Sequence, residues 1–304
     1  MNAIEIQNLA RRFGRTTAIE DLSLTVPEGS VFALLGPNGA GKTTTIKILM
    51  NFIPPTSGRA MVRGVDSRKL GPKERSQIGY VSENQILPLW MTVRRLLDYC
   101  RPFYPTWDRE LEGTLLRQFD LPEDRRLKDL SRGMLMKAAL LCALAYRPRL
   151  LVLDEPFSGL DPIMRDEFVH GILEATELGN WTVFISSHDI EEVERLADHI
   201  GLIDRGRTKL NESAESLLTR FRRFEVILPG SSASLRDLPP AWLLPDQVGE
   251  RMVFVDSQYA PTTTEKACQQ RFPGAVVSSA PMSLREIFIT LSRTSRKTPN
   301  GTAL

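Results

Sequence analysis

Gly36-Pro37-Asn38-Gly39-Ala40-Gly41-Lys42-Thr43 sets two glycines five apart ahead of a lysine and a hydroxyl residue, the pattern of a phosphate-gripping P-loop. Glycines let the backbone turn its N–H groups inward as an anion nest, and such a loop feeds a helix N-terminus whose dipole favours negative charge. In that pattern Lys42 reaches the β- and γ-phosphates of a nucleotide and Thr43 ligates Mg²⁺. The empty loop is expected to leave the Lys42 charge facing the surface.

Asp154 and Glu155 form a second chemical pair, at the end of the apolar run Leu150–Leu153. Buried acids lose hydration, so two of them at a strand end are costly unless they meet a cation or do chemistry. Beside a P-loop, Asp154 would hold Mg²⁺ or its waters, and Glu155 would orient or deprotonate the attacking water. Pro156 is expected to keep Glu155 extended.

Three further groups carry chemistry on one reading and structure on another. His188 follows the β-prone run Trp181–Ile185, at the strand end where open α/β sheets bind ligands; a lone histidine there is also a common surface residue. Ser131 is a natural N-cap for the apolar helix through Ala145, and with the N–H groups around Gly133 it forms a second anion-binding end or simply a cap. Phe13, beside Arg11 and Arg12, either stacks on a base or fills the core.

The elements needed to position these groups are legible around them. Val31–Leu35 reads as a strand buried on both faces, and Ile46, Leu49, Met50 and Ile53 mark a one-sided helix stopped by Pro54-Pro55. Residues 3–9 and 19–26 alternate as half-buried strands, and Ile78–Val81 reads as another, running into the polar loop Ser82–Gln85. Helical periodicity from Met91 to Phe119 marks an insertion between strands, and Pro148 is expected to stop the helix that Ser131 opens. Ser158–Pro162 is a turn by composition. After His188 a helix is expected, with Asp189 and Glu192 as a capping box and Ile190, Val193 and Ala197 inward. Ile200–Ile203 leads to a turn at Arg205-Gly206.

The pattern then changes to a small α+β domain joined by a helical linker at 212–221. Strands are expected at Phe224–Leu228, Met252–Val255 and Ala275–Val277, and helices near 262–271 and 283–292, the last opened by a Ser283/Glu286 capping box. No chemical motif appears there, and the last dozen residues read as a loose tail.

Composition narrows the class. The 304 residues carry 39 basic and 37 acidic side chains, a net charge of +2, which gives no steering toward nucleic acid. The longest apolar stretch, Met134 to Leu153, is broken by Lys137, Arg147 and Arg149, so no membrane span is expected, and the start lacks the order of a signal peptide. Cys100, Cys142 and Cys268 form no C-x-x-C pair and suggest neither a disulfide framework nor a zinc site, as in a reduced cytosolic chain.

Taken together, residues 1 to about 210 resemble the ATPase subunits of ABC transporters. Gly36–Thr43 matches their Walker A loop, Leu130–Met134 the signature motif, Leu150–Glu155 Walker B, Ser158–Asp161 the D-loop, His188 the switch histidine and Phe13 the adenine-stacking aromatic. The resemblance implies an α/β fold: a P-loop NTPase core with a small antiparallel sheet and a helical subdomain at about 84–145, spanning 1–210, followed by a small α+β domain at 211–304. It implies ATP and Mg²⁺ as cofactors. Phe13, Gly36 through Thr43, Thr44, Ser131, Gly133 and Asp161 would contact nucleotide, Thr43, Glu83 and Asp154 the metal, and Glu155, His188 and Glu83 would serve catalysis. It also implies a head-to-tail homodimer, or a pairing with a related ATPase subunit, that sandwiches ATP between one Walker A loop and the partner's signature motif. No nucleic-acid partner is implied.

Glu83 stands where the family has its Q-loop glutamine, as in relatives among drug and bacitracin exporters, and Arg132 and Met134 replace a glycine and a glutamine of the signature. With the single C-terminal domain, the pattern resembles the ABC-2 type export ATPases, which pair with a separately encoded membrane permease at the cytoplasmic face of the cell membrane. The alternative is a soluble ABC ATPase of translation or DNA maintenance. One motif set and no heptad arm argue against it. A nucleotide-binding module without catalysis is disfavoured by Glu155.

Overall fold

The computed structural model describes residues 1–179, 181–230 and 238–297. They divide into two compact units, Met1–Asn211 and Glu212–Leu304.

The first unit runs β1 (Asn2–Phe13), β2 (Thr16–Pro27), β3 (Val31–Leu35), α1 (Lys42–Leu49), β4 (Ser57–Val62), β5 (Val65–Asp66), α2 (Pro72–Arg75) and β6 (Ile78–Ser82). It continues with α3 (Val93–Cys100), α4 (Arg109–Gln118), α5 (Arg132–Leu144), β7 (Leu150–Asp154), α6 (Pro162–Gly179), β8 (Thr182–Ser187), β9 (His199–Asp204) and β10 (Arg207–Ser213). Its ten strands lie in the order β5-β4-β1-β2-β10-β9-β3-β8-β7-β6. The half built on the long β1–β2 hairpin is antiparallel, whereas β3, β6, β7, β8 and β9 pair in parallel.

Register explains why four distant segments share one place. Leu35 pairs with Ser187, Ser82 with Asp154, and Asp154 with Ser186. The C-terminal ends of β3, β6, β7 and β8 therefore lie along one sheet edge, and the residues that follow them emerge together. Those residues are the Gly36 loop, Glu83, Glu155 and His188. Beneath the edge, Phe32 stacks on Phe184 at 5.5 Å in a core with Leu34, Val152, Ile46 and Leu49.

Helical periodicity between Met91 and Phe119 resolves into α3 and α4, capped by Thr92 and Asp108, whose side chains accept backbone N–H groups of the first turns. Cys100 on α3, Cys142 on α5 and Cys268 are free thiols.

Several expectations are revised. β1 and β2 are longer than the alternating runs, because they continue to the turn at Gly14 and Arg15. Strands β4 and β5, with β5 at the edge, carry no clear signal in the sequence: β4 opens on Ser57, Gly58 and Arg59, and only its Ala60 and Val62 are buried. The stop expected at Pro148 holds: α5 ends at Leu144 with Ala145 as its cap, and Arg147, just ahead of the proline, takes a left-handed φ of 52°. The helix expected after His188 is only a single 3-10 turn, Ile190–Glu192. Its capping box does not form: Glu192 turns away to accept the Ser187 hydroxyl, and the Asp189 N–H donates to Ser187 Oγ instead.

The second unit comprises α7 (Ala214–Arg220), β11 (Arg222–Ile227), β12 (Trp242–Val248), β13 (Arg251–Asp256), α8 (Thr263–Arg271), β14 (Val276–Pro281) and α9 (Leu284–Lys297). Its strands form an antiparallel sheet in the order β12-β13-β11-β14. Phe254 stacks between Phe224 at 5.2 Å and Trp242 at 4.2 Å, forming the core of this unit. β12 had no strand signal because Pro245, Asp246 and Gln247 interrupt its apolar residues. The Ser283/Glu286 capping box is present, and α9 runs to Lys297, into the stretch expected to be a tail; residues 298–304 lie outside the described ones.

Candidate functional site

The loop from β3 to α1 is held tight by two glycines that tolerate no side chain. A Cβ on Gly36 would stand 2.3 Å from the Ile203 carbonyl, and one on Gly41, at φ 107°, would stand 2.7 Å from the Ala18 carbonyl. Gly41 is also the N-cap of α1 and offers no side chain to its first N–H groups, so that helix end is open to an anion.

Lys42 does not face the surface as expected. Its side chain is 5% exposed, and Nζ donates to the Gly36 carbonyl at 2.7 Å and the Pro37 carbonyl at 3.3 Å. It also pairs with Glu155 Oε1 at 3.0 Å. Folding the loop back on itself supplies these acceptors, because a lysine taken from water must be paired.

Glu155 Oε2 meets His188 Nδ1 at 2.8 Å, so one carboxylate links the loop lysine to the histidine after β8. Burial pushes the Glu155 carboxyl upward, but the hydrogen bonds from His188 and Lys42 outweigh it and hold its pKa below the usual range. Glu155 is not extended. It sits at φ 50°, its N–H donating to the Ser186 hydroxyl at 3.0 Å, so Pro156 has excluded the right-handed helical region without imposing a strand.

Asp154 is buried beside it and behaves oppositely. Its Oδ1 accepts the Ser186 hydroxyl at 2.7 Å and the Thr43 hydroxyl at 3.1 Å. Burial raises its pKa despite both bonds. A carboxylate beside a hydroxyl at the mouth of a phosphate loop is a hard-oxygen donor set, which fits Mg²⁺. Glu83 lines the same cavity, where its Oε1 accepts Arg132 Nη2 at 2.8 Å and the Ser158 hydroxyl at 2.7 Å.

These groups surround a cavity of about 600 Å³ lined by Thr16, Thr17, Ala18, Asn38, Gly39, Gly41, Lys42, Thr43, Thr44, Glu83, Glu155, Ser158 and His188. That volume lies within the range of small-molecule sites. Gly36, Pro37 and Ala40 complete the loop behind it. Phe13 is not part of the lining. It is 45% exposed, with the Arg11 guanidinium 4.4 Å from its ring centre, so the core reading fails; its cross-strand partner Thr16 does line the cavity.

Ser131, Gly133 and Asp161 also stand outside the lining. Ser131 Oγ caps the Met134 N–H at 3.2 Å, Gly133 packs against the Met164 sulfur, and Asp161 Oδ1 accepts the Met164 N–H at 2.9 Å. The residue list read from sequence lacked Thr16, Thr17, Ser158, Ser186 and Glu192. The threonines and Ser186 carry no signal of their own; Ser158 had one, as the first residue of the Ser158–Asp161 D-loop. Glu192 is buried, accepts the Ser187 hydroxyl, and its pKa is raised by burial; its carboxylate, Glu155 and His188 lie within 4.8 Å of one another.

Comparison with known proteins gives a consistent answer. The ABC transporter family model matches residues 19–158. The chain is 30% identical over 201 residues to the ABC transporter ATP-binding protein YtrB of Bacillus subtilis (strain 168), covering 66% of this chain and 68% of that protein. It is 34% identical to the daunorubicin resistance ATP-binding protein DrrA2 of Streptomyces coeruleorubidus, covering 74% of this chain and 72% of the relative. Among solved structures, the ATP-binding subunit of an ABC transporter superposes with a TM-score of 0.64 at 28% identity, covering 71% of this chain and 92% of the other.

Proposed function

This chain belongs to the ABC transporter family, and on that premise we propose that it is an ATPase subunit that closes head to tail around two ATP molecules and powers a separate membrane permease, of the export type. The observation that carries the reading is Glu155, whose carboxylate bridges Lys42 and His188 at the mouth of the phosphate loop.

The chemistry follows from that bridge. Lys42 and the open N-terminus of α1 bind the phosphates, and an arriving phosphate takes the place of the Glu155 carboxylate beside Lys42. Glu155 then keeps His188 as its remaining partner and accepts a proton from, or orients, the attacking water. Accepting a proton from water requires the ionised carboxylate, and the His188 hydrogen bond that favours that form remains when Lys42 has turned to the phosphate. Thr43 and Asp154 are the residues that would hold Mg²⁺, which when bound offsets charge on the phosphate oxygens.

Head-to-tail closure is supported by the signature residues. Ser131 and Gly133 sit at the N-terminus of α5, an anion-favouring helix end, yet do not line the cavity of their own chain. A second subunit's nucleotide gives that end a phosphate. Pairing with a permease is supported by exposed apolar side chains in the segment after Glu83, Ile86, Trp90, Tyr99 and Phe103. No helix among the described residues is long and apolar enough to cross a membrane. The name of DrrA2, a drug-resistance ATP-binding protein, favours export.

Glu155→Gln tests the reading. ATP binding should persist while hydrolysis falls by on the order of 10²–10⁴-fold, as for loss of a general base. The variant should accumulate an ATP-dependent dimer in size-exclusion chromatography. A monomeric variant hydrolysing at the wild-type rate would overturn it.

A further inference from the structure

An acid in the wall of a phosphate-binding cavity is an electrostatic problem, and Glu83 is such an acid. Its partners neutralise it. Glu83 Oε1 accepts Arg132 Nη2 at 2.8 Å and the Ser158 hydroxyl at 2.7 Å, while its N–H donates to the Asp154 carbonyl at 3.0 Å. One side chain thus ties together the loop after β6, the first turn of α5 and the turn after β7.

Arg132 is half-exposed, held by Glu83 at one end and by its place in the helix at the other. It is the first residue of α5, next to the capping Ser131, and its guanidinium covers Gly159, where an added Cβ would stand 2.4 Å from Nη1. Gly159 is at φ 70°, so its lack of a side chain serves both the turn and the arginine above it.

The charges show what the tie does. Lys42 is matched by Glu155 and Arg132 by Glu83, so each acid of these two pairs has its own cation. Without Arg132, Glu83 has none and faces a ligand that is itself an anion. We propose that Arg132 is a positioning residue that acts as the internal counter-ion of Glu83, neutralising the cavity wall toward ATP phosphates and holding the first turn of α5 against that wall.

The proposal rests on the ATP-binding reading and makes a charge-specific demand. Removing the arginine should weaken ATP binding because Glu83 is left unneutralised, so removing the Glu83 charge as well should restore it. A purely structural arginine gives no such rescue. The variants are Arg132→Gln, which keeps most of the side-chain length over Gly159, Arg132→Gly, Glu83→Gln and the doubles, each made in the full chain.

ATP affinity is measured by calorimetric titration and hydrolysis by phosphate release at low and high salt. Arg132→Gln should raise Kd and KM about three- to tenfold with kcat within about twofold, the penalty shrinking at high salt as exposed charges are screened within about 10 Å at 0.1 M. Glu83→Gln/Arg132→Gln should restore the Kd for ATP to within about twofold of wild type. If Arg132→Gly misfolds, the Gln pair carries the test alone. Failure of Glu83→Gln to rescue Arg132→Gln, or unchanged affinity in Arg132→Gln, overturns the counter-ion role while leaving the wild-type ATPase reading standing. A wild-type chain that binds no ATP would instead sink that reading.

Discussion

Lys42 Nζ and Glu155 Oε1 are 3.0 Å apart, with their side chains 5% and 13% exposed, so the lysine expected to grip phosphate is already paired with the acid expected to handle water. Nucleotide binding is therefore an exchange of anions at Lys42. Lys42→Ala should lower ATP affinity about 10- to 100-fold, since hydrogen bonds to a charged group contribute roughly 1.5–3 kcal/mol and a tenfold change is about 1.4 kcal/mol. It should also lower Tm, because a largely buried carboxylate loses one of its two cationic or hydrogen-bonding partners. Calorimetric titration and a thermal melt check both; unchanged affinity would remove Lys42 from the site.

Asp154 and Glu155 are neighbours whose pKa values move in opposite directions, and stability should follow with opposite signs. Glu155 is lowered, so its contribution is present above its unfolded pKa and is lost as pH falls through the folded one. Asp154 is raised, so it favours the fold at low pH and that contribution is lost as pH rises through its folded pKa. At neutral pH the ionised Asp154 is thus a net cost in the metal-free chain. Asp154→Asn, whose amide oxygen still accepts from Thr43 and Ser186, should raise the metal-free Tm at pH 7 by about 2–4 °C, roughly 1 kcal/mol. The same variant should lose the additional Tm rise that Mg²⁺ brings to wild type in the presence of ATP. A lower metal-free Tm would show that the carboxylate stabilises the empty site.

Where sequence reasoning succeeded, the signal was local. Gly36 to Thr43, the apolar runs of β3, β7 and β8, and the Ser131 and Ser283 caps are written in consecutive residues, and each stands where it was read. What stayed hidden depends on pairing across the sheet. Ser186 touches both acids only because β8 lies in register with β7, and β4 is a strand only because β1 offers it an edge. The orientation of Lys42 was misread because nothing in its neighbours announces that the loop folds its own carbonyls inward. Glu192 was misassigned by a spacing that fits a capping box as well as it fits a buried partner for Ser187.

Phe13 lies beside the cavity, not in it, opposite Thr16 on the β1–β2 hairpin. If its ring receives the adenine, Phe13→Ala should weaken ATP and ADP binding by about 1–3 kcal/mol, the usual worth of base–aromatic stacking, whereas Phe13→Trp should retain it. Tripolyphosphate, which has no base, should bind both variants as it binds wild type. An equal loss for tripolyphosphate would assign Phe13 to holding the hairpin instead.

The sharpest test of head-to-tail closure separates the two halves of each composite site onto different chains. Lys42→Ala damages the phosphate loop alone. Ser131→Asp keeps an N-cap acceptor for the Met134 N–H but turns the helix end acidic, so α5 should remain capped while a phosphate facing it is repelled. Each variant alone forms dimers in which both sites contain a damaged half. In a mixed dimer one site takes both lesions and the other takes none, because the intact Lys42 of one subunit faces the intact Ser131 of its partner. Random pairing makes half the dimers mixed, each with one of two sites whole, so the mixture should recover up to about a quarter of the wild-type rate, 0.5 × 0.5. Phosphate release measured against mixing ratio should peak near equal amounts and rise with total protein concentration. A flat profile at the level of the single variants, with an ATP-dependent mixed dimer present by size, would mean that Ser131 does not act across the interface.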